Sequence, residues 1–296
     1  MSMPIRSNIS WNAPYQWPEG KKCGVLISFD VDGESPYLWQ TRDAPSNKLA
    51  ELEQRRFGPR IGVHRVLDLL EKWDIPATFF VPGQTAALYP ELLSNILRSG
   101  FEIGLHGYQH ERVDELSINE NIDILERSLE IFKKQTGLET FGFRSPAWEM
   151  TSELFQILNQ YQLLYDSSLM GSDHPYTIDG ISEIPVQWLT DDAIYFRYTA
   201  STRDKGPPSN PKQVLDSWIE EFEGIRAYGG LFSLTAHPWI SGRPQRIRLL
   251  DKLFSHIRQY DDVWWAPAIE FSQYHKASEN FDRYVVKTKD LVGDNT

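Results

Sequence analysis

The stretch Gly24-Val-Leu-Ile-Ser-Phe-Asp-Val-Asp-Gly-Glu34 decides the fold, because a short apolar run ends abruptly at acidic residues. The apolar run, residues 24–29, predicts a buried strand. In a parallel α/β barrel, side chains that follow a strand gather at the carboxyl edge of the sheet, where reactive groups lie. The sequence therefore predicts that Asp30 and Asp32 lie at this edge and are candidates for reactive groups.

Similar apolar runs recur along the chain and alternate with segments of helical spacing. The predicted strands are residues 24–29, 77–81, 101–105, 141–143, 163–165, 182–185, 231–236 and 263–266. The predicted helices are residues 61–73, 90–98, 117–136, 152–161, 213–228 and 246–259. This alternation predicts βαβ units, and we expect an α/β fold, a distorted (β/α) barrel of about seven parallel strands.

Boundary signals support the longest of these helices. Ser117 and Glu120 have the spacing of a capping box, in which each side chain accepts a backbone N–H of the other. Gly137 follows the last helical residue and is typical of a helix carboxyl end. We therefore expect a helix from Ser117 to the residue before Gly137.

Two segments lie outside the alternation. Residues 35–59 are polar and predict a loop over the site. Residues 184–211 favour an insertion rather than a second domain. We expect one catalytic domain over residues 1–296, with a core at about residues 24–270.

Composition limits the function classes. The chain has 296 residues, 41% of them hydrophobic and 24% charged, which excludes a wholly disordered protein. Its net charge of −11 repels phosphate backbones, so we predict no nucleic-acid partner. Cys23 is the one cysteine, which excludes an internal disulfide and a cysteine-rich zinc module. Neither a bilayer-spanning run nor, in residues 1–20, a signal peptide is evident, which predicts no membrane partner and a cytoplasmic location.

A histidine pair follows the predicted strand at residues 101–105. In His106-Gly-Tyr-Gln-His110, the two histidines are four positions apart, so on a helical turn both imidazoles would reach one ion. Together with one carboxylate from the Asp30-Val-Asp32 segment, they suit a divalent transition metal such as zinc and leave positions open for water and substrate. The alternative is a polar surface pair and an acidic turn.

Two further strand ends bear candidate side chains. Arg144 follows the strand at residues 141–143, and it either binds a carboxylate through its forked guanidinium or forms a structural ion pair. His237 follows the strand at residues 231–236 and precedes Pro238, which suits a fixed general acid. A structural histidine is the alternative.

Taken together, these segments resemble the polysaccharide deacetylase superfamily. The motifs occur in the family order, namely Ser28-Phe-Asp-Val-Asp-Gly33, His106-x-x-x-His110, Arg144-Ser-Pro-Ala-Trp148 and His237-Pro238. The resemblance covers about residues 24–265. It is strongest to the peptidoglycan-deacetylase-like branch, which also contains allantoinase-like and cyclic imide hydrolases and shares segments similar to Pro146-Ala-Trp-Glu149 and Trp188-Leu-Thr-Asp-Asp192.

The resemblance implies a role for each motif residue. Asp32, His106 and His110 would hold a divalent metal, with zinc expected. Asp30 would be the base that takes a proton from water, although the usual first motif has adjacent aspartates and Val31 intervenes here. Arg144 would orient Asp30, and His237 would protonate the leaving nitrogen. The remaining predicted substrate-binding residues are Trp148, Glu149, Trp188, Asp191 and Trp239.

The implied activity is metal-dependent hydrolysis of a carbon–nitrogen bond other than a peptide bond. N-deacetylation of N-acetylated sugars is the first hypothesis, with a small molecule or an oligosaccharide as substrate. Ring opening of cyclic imides or ureides is the second, and allantoinase-like members lack the metal ligands that are present here. A non-catalytic binding module is the third. The sequence leaves homo-oligomerisation open.

Overall fold

The computed structural model of the protein describes residues 14–44, 48–199 and 207–291. The strands within these residues are β1 (Cys23–Asp30), β2 (Thr78–Val81), β3 (Glu102–Leu105), β4 (Gly142–Phe143), β5 (Tyr176–Ile178), β6 (Ile181–Glu183), β7 (Leu231–Ala236), β8 (Val263–Trp265) and β9 (Val285–Val286). The helices are α1 (Ser35–Gln40), α2 (Leu49–Phe57), α3 (Val63–Trp73), α4 (Gly83–Leu88), α5 (Leu92–Arg98), α6 (Ile118–Thr136), α7 (Ser152–Gln160), α8 (Ala193–Phe196), α9 (Pro211–Tyr228), α10 (Pro238–Ser241), α11 (Pro244–Ile257), α12 (Ala268–Ala277), α13 (Asn280–Arg283) and α14 (Thr288–Leu291).

A parallel sheet forms the centre of the fold. Its strands run in the order β4-β3-β2-β1-β7, and β8 pairs with the first residues of β1. Single bridges extend the curl, from β4 through Asp166 to β6 and from Asp191 back to β7. The predicted α/β fold is thus confirmed as a curled, mostly parallel sheet flanked by helices.

All eight residues of β1 are buried, as the apolar run predicted. Ser28 lies opposite Thr78 of β2 and Thr235 of β7, so β1 is the central strand. Because its neighbours run in the same direction, their carboxyl ends open onto one edge of the sheet. This edge positions the functional side chains.

The least regular part of the sheet differs from the prediction. Residues 163–165 do not form a strand, because the chain there bridges its neighbours only at Asp166. The strand predicted at residues 182–185 is β6, which ends before Pro185, a residue without an N–H for a ladder. β6 pairs antiparallel with β5, a three-residue strand that the sequence analysis missed.

The segment over the site is helical rather than a loop. It folds into α1 and α2, and a π-helical turn at Gly58–Gly62 leads directly into α3. A Cβ at Gly62 would lie 2.1 Å from the carbonyl oxygen of Pro238, so glycine is required where this turn packs against the start of α10. Residues 45–47 of this segment and 200–206 of the predicted insertion lie outside the described residues.

Helix α6 confirms its predicted boundary signals. The Ser117 side chain accepts from the Glu120 N–H, and the Glu120 carboxylate accepts from the Ser117 N–H. Gly137 ends the helix with a φ of 73°. None of the described helices combines the length and the apolar character that crossing a bilayer requires.

Candidate metal centre and active-site cavity

Three potential metal donors meet at the carboxyl edge of the sheet. Asp32 follows β1, and His106 and His110 follow β3. One ligand atom from each of these residues lies within 4.8 Å of the other two. Oδ1 of Asp32 lies 3.6 Å from Nε2 of His106 and 3.9 Å from Nε2 of His110.

The donor atoms fit a divalent cation. Nδ1 of His106 lies 2.8 Å from the carbonyl oxygen of Arg144, which only a protonated Nδ1 can hydrogen-bond. A proton on Nδ1 leaves Nε2 as the ring nitrogen that faces the cluster. That Nε2 and Oδ1 of Asp32 are both buried and have no hydrogen-bond partner among the described residues. Burial lowers the pKa of His110 to about 4, so its imidazole is neutral at pH 7, the form that binds a metal.

The histidine pair reaches this point through a loop and not through the helical turn that its spacing suggested. Gly107 and His110 have φ values of 65° and 63°, which a helix does not allow. The carboxylate of Glu111 holds the loop by accepting from the backbone N–H groups of Tyr108 (2.9 Å) and Gln109 (2.8 Å). Glu111 is a positioning residue that the sequence analysis missed.

Arg144 joins Asp30 to the rest of the site. Its guanidinium is fully buried, and Nη1 donates to Oδ1 of Asp30 at 2.8 Å and to Oγ of Ser28 at 2.9 Å. Nε and Nη2 donate to the carbonyl oxygen and hydroxyl of Ser167. Burial favours protonated Asp30, but the charges of Arg144, His106 and His237 hold its pKa below the usual value. The structure thus pairs Arg144 with the Asp30 carboxylate.

Asp192 fixes His237. Its Oδ1 accepts from Nδ1 of His237 at 2.7 Å, and Oδ2 accepts from the backbone N–H of His237 and from the hydroxyl of Ser241. Nε2 of His237 lies 3.7 Å from Oδ2 of Asp32, so the ring faces the donor cluster. Burial opposes the charged imidazole, but Asp192, Asp191 and Asp32 raise the pKa of His237 well above 6.5.

Asp191, Asp192 and His237 form a second group with metal-ligand spacing. The oxygens of Asp192 and Nδ1 of His237 are already engaged in hydrogen bonds with one another and with Ser241. Asp191 is the member predicted to bind substrate. Burial raises its pKa to about 7, and its Oδ1 accepts from the N–H of Ala193. The group is therefore better suited to fixing His237 than to holding an ion.

The three potential metal donors, together with Asp30 and His237, line a cavity of ≈160 Å³. The lining residues are Asp30, Asp32, Pro36, Gln40, Arg55, His106, His110, Ala147, Trp148, Trp188, Asp191, Ala193, Arg197, His237 and Trp239. The rings of Trp148 and Trp188 lie against each other, with their centroids 4.4 Å apart. Four of the five predicted substrate-binding residues are thus in the cavity wall. Glu149 is exposed and does not line the cavity.

The sequence analysis missed Asp192, Arg55 and Arg197. Asp192 had a detectable signal, because it is adjacent to Asp191 in the Trp-x-x-Asp-Asp segment. The two arginines follow no predicted strand. Their position in the cavity depends on how α2 and the segment after α8 fold over the sheet edge.

Comparisons with known proteins agree with this geometry. The polysaccharide deacetylase family model matches residues 57–165. A solved structure of a putative polysaccharide deacetylase from Mycobacterium smegmatis is 36% identical, with a TM-score of 0.84, covering 90% of this chain and 94% of that one. The peptidoglycan deacetylase of Helicobacter pylori is 27% identical over 271 residues, covering 81% of this chain and 92% of that protein.

A solved structure of Puue allantoinase shares the fold at 17% identity, with a TM-score of 0.80, over 95% of this chain and all of that chain. Its likeness concerns the fold alone, whereas the Mycobacterium smegmatis protein is similar in both sequence and structure. The chain therefore belongs to the polysaccharide deacetylase family and is a hydrolase of carbon–nitrogen bonds other than peptide bonds.

Proposed function

We propose that the protein is a metal-dependent N-deacetylase of N-acetylated sugars. The observation that carries the proposal is a pair of buried atoms, Nε2 of His106 and Oδ1 of Asp32, that have no hydrogen-bond partner in the described part of the chain. They lie beside the Asp30 carboxylate, which pairs with Arg144, and the His237 imidazole, which pairs with Asp192. Asp32, His106 and His110 would hold the ion, and their mixed nitrogen and oxygen donors suit zinc. A divalent ion bound there supplies Lewis acidity toward an acyl oxygen and a water molecule.

Asp30 is the proposed general base. Its Oδ1 accepts from Arg144, which fixes the carboxylate and leaves Oδ2 to face the donor cluster, 3.8 Å from Nε2 of His106. A carboxylate held in this way can accept a proton from an attacking water. Arg144 acts through Asp30 and is a positioning residue.

His237 is the proposed general acid. Oδ1 of Asp192 accepts a hydrogen bond from Nδ1–H of His237, which orients the ring so that Nε2 points toward the cavity. Protonation of the departing nitrogen is needed because an amine anion is a poor leaving group. Asp30 and His237 would thus act at two sides of the same scissile bond.

The cavity walls suit a single ring. The volume of ≈160 Å³ is close to that of an engineered apolar cavity, of about 150 Å³, that admits benzene. Trp148, Trp188 and Trp239 provide flat surfaces for a sugar face. The same size also favours a second candidate, the ring opening of a small cyclic imide or ureide.

A substrate panel tests these alternatives. Acetate release from N-acetylglucosamine and chitooligosaccharides is measured beside ring opening of succinimide, hydantoin and allantoin, with zinc-loaded protein. We expect turnover in the acetate assays. Turnover of the cyclic substrates alone would replace the deacetylase by the imide hydrolase, and inactivity in both assays with metal bound would contradict both candidates.

A further inference from the structure

Arg55 is a buried cation in the cavity wall for which the proposed mechanism has no use. It lies on α2, its residue is only 3% exposed, and it lines the cavity together with Asp32, His106 and His110. The ion pairs found within residues 14–44, 48–199 and 207–291 do not include Arg55. Its Nε has no hydrogen-bond partner among those residues.

The surroundings of Arg55 leave its charge only partly compensated. Asp32, Glu51 and Tyr37 favour the cation, while burial and the nearby Arg197 disfavour it and together lower the pKa of Arg55. On one side its guanidinium carbon lies 5.1 Å from the centre of the Trp239 ring. Arg144 shows the contrast, because its equally buried guanidinium donates to Asp30, Ser28 and Ser167.

A buried guanidinium without a matched anion is unfavourable, since arginine stays protonated in proteins. A ligand in the cavity can supply that anion. A carboxylate is the natural partner, because its two oxygens match the planar fork of the guanidinium. Arg197, exposed and also in the cavity wall, adds positive charge at the entrance.

We propose that Arg55, assisted by Arg197, binds a carboxylate of the substrate, so that this hydrolase prefers anionic N-acylated compounds to neutral ones. The inference rests on the proposed function for the position of the scissile bond. It assigns the substrate a carboxylate within one ring of the N-acetyl group, because the cavity admits about one ring.

Binding can be measured separately from turnover. The probes are N-acetylmuramic acid, whose carboxylate is attached beside the acetamide, and its methyl ester, which has the same ring without the charge. Titration calorimetry is performed on the full-length, zinc-loaded protein with Asp30→Asn, which prevents turnover during the titration. We expect the acid to bind on the order of 10- to 100-fold more tightly than the ester, the range of one charge-assisted hydrogen-bonded pair.

Three variants in the same background identify the cause of the preference. Arg55→Gln should reduce the ratio of the two affinities to about one. Arg197→Gln, at an exposed position where folding is not at risk, should reduce the ratio by about two- to fivefold. Arg60→Gln is the matched control, because Arg60 lies nearby in the chain and pairs with Glu53 at the surface, and it should leave the ratio unchanged.

Equal affinities for the acid and the ester, a lack of binding by both, or a preference that survives Arg55→Gln would each overturn the inference. A role of Arg55 in stabilising the reaction itself would also overturn it, and would appear as an equal loss of turnover on neutral and anionic substrates when Arg55→Gln is introduced into the otherwise unchanged enzyme. The proposed function fails differently, because an inactive wild-type enzyme leaves the calorimetric comparison intact.

Discussion

Asp192 accepts hydrogen bonds from both the ring and the backbone of His237. Nδ1 of the imidazole lies 2.7 Å from Oδ1, and the backbone nitrogen lies 2.9 Å from Oδ2. These two contacts hold the imidazole in one orientation. Asp192 makes the short contacts with His237, whereas Oδ1 of Asp191, which was predicted to bind substrate, lies 3.7 Å from Nδ1.

Asp192→Asn should lower kcat by on the order of 10²-fold, since an amide no longer secures the orientation or the charge of the general acid. Zinc content should stay at the wild-type level, because Asp192 is not among the proposed ligands. Acetate release and elemental analysis measure the two quantities. Asp261→Asn, at an exposed position, is the control, and an unchanged kcat for Asp192→Asn would contradict the positioning role.

His106→Ala and His110→Ala should each lose bound metal and activity together. Each change removes one of three proposed ligands, and two donors hold a divalent ion poorly. Elemental analysis of protein that has not been exposed to a chelator gives the metal content. Retention of stoichiometric zinc by either variant would show that the replaced histidine is not a metal ligand.

Asp30→Asn should keep its metal and lower kcat by on the order of 10²-fold or more, because the amide cannot accept the proton of water. The comparison with the histidine variants separates the base from the ligands. A variant with normal turnover would exclude Asp30 as the base.

Arg144→Met should lower the free energy of unfolding by about 3–5 kcal/mol, because it leaves the buried Asp30 carboxylate without its partner. Urea denaturation measures the loss. Arg226→Met is a matched control, since Arg226 makes a similar two-bond contact with Asp262 at the partly exposed surface. Its cost should be below about 1 kcal/mol, and equal costs for the two variants would contradict the argument from burial.

A buried pair of acids gives a pH prediction. Oδ2 of Asp166 and Oε2 of Glu183 lack a donor among the described residues, and burial together with Asp166 raises the pKa of Glu183 well above 4.5. The folded protein thus binds more protons than the unfolded chain above pH 4.5, so Glu183 makes stability fall as pH rises. Glu183→Gln should reduce this fall.

Denaturation between pH 5 and pH 9 measures the slope of the free energy of unfolding. The exposed substitution Glu71→Gln should leave the wild-type slope. An unchanged slope in Glu183→Gln would mean that the raised pKa of Glu183 does not govern the alkaline stability.

The sequence predicted the parts of the fold that local pattern controls. The buried run of β1 and the capping box of α6 are each visible within a few residues. The sequence analysis missed β5 and predicted a strand at residues 163–165 where the chain forms only a bridge at Asp166. Both errors arise because one to three paired residues give no periodic signal. The residues at strand ends were found because the carboxyl ends of parallel strands share one edge of the sheet. The structure brings five of them together, namely Asp30, Asp32, His106, His110 and His237.

The rest of the site depends on long-range packing. Arg55 reaches the cavity only because α2 folds over the sheet edge, and Trp239, whose ring its guanidinium faces, is far away in the chain. His110 reaches the donor cluster because its own backbone is left-handed, and the four-residue spacing of the histidine pair does not reveal that conformation. Glu149 has the spacing of its family segment but points outward.

Arg144 serves the site twice, through two chemically independent parts. Its main-chain carbonyl selects the tautomer of His106, whereas its side chain secures Asp30. Every amino acid has that carbonyl, so replacing the side chain would remove the contact that fixes Asp30, the proposed base, and would leave Nε2 of His106 facing the other proposed metal ligands. A change at this single codon would therefore separate binding of the proposed ion from the proposed turnover, and would leave a protein that binds the ion on the same scaffold without catalysis.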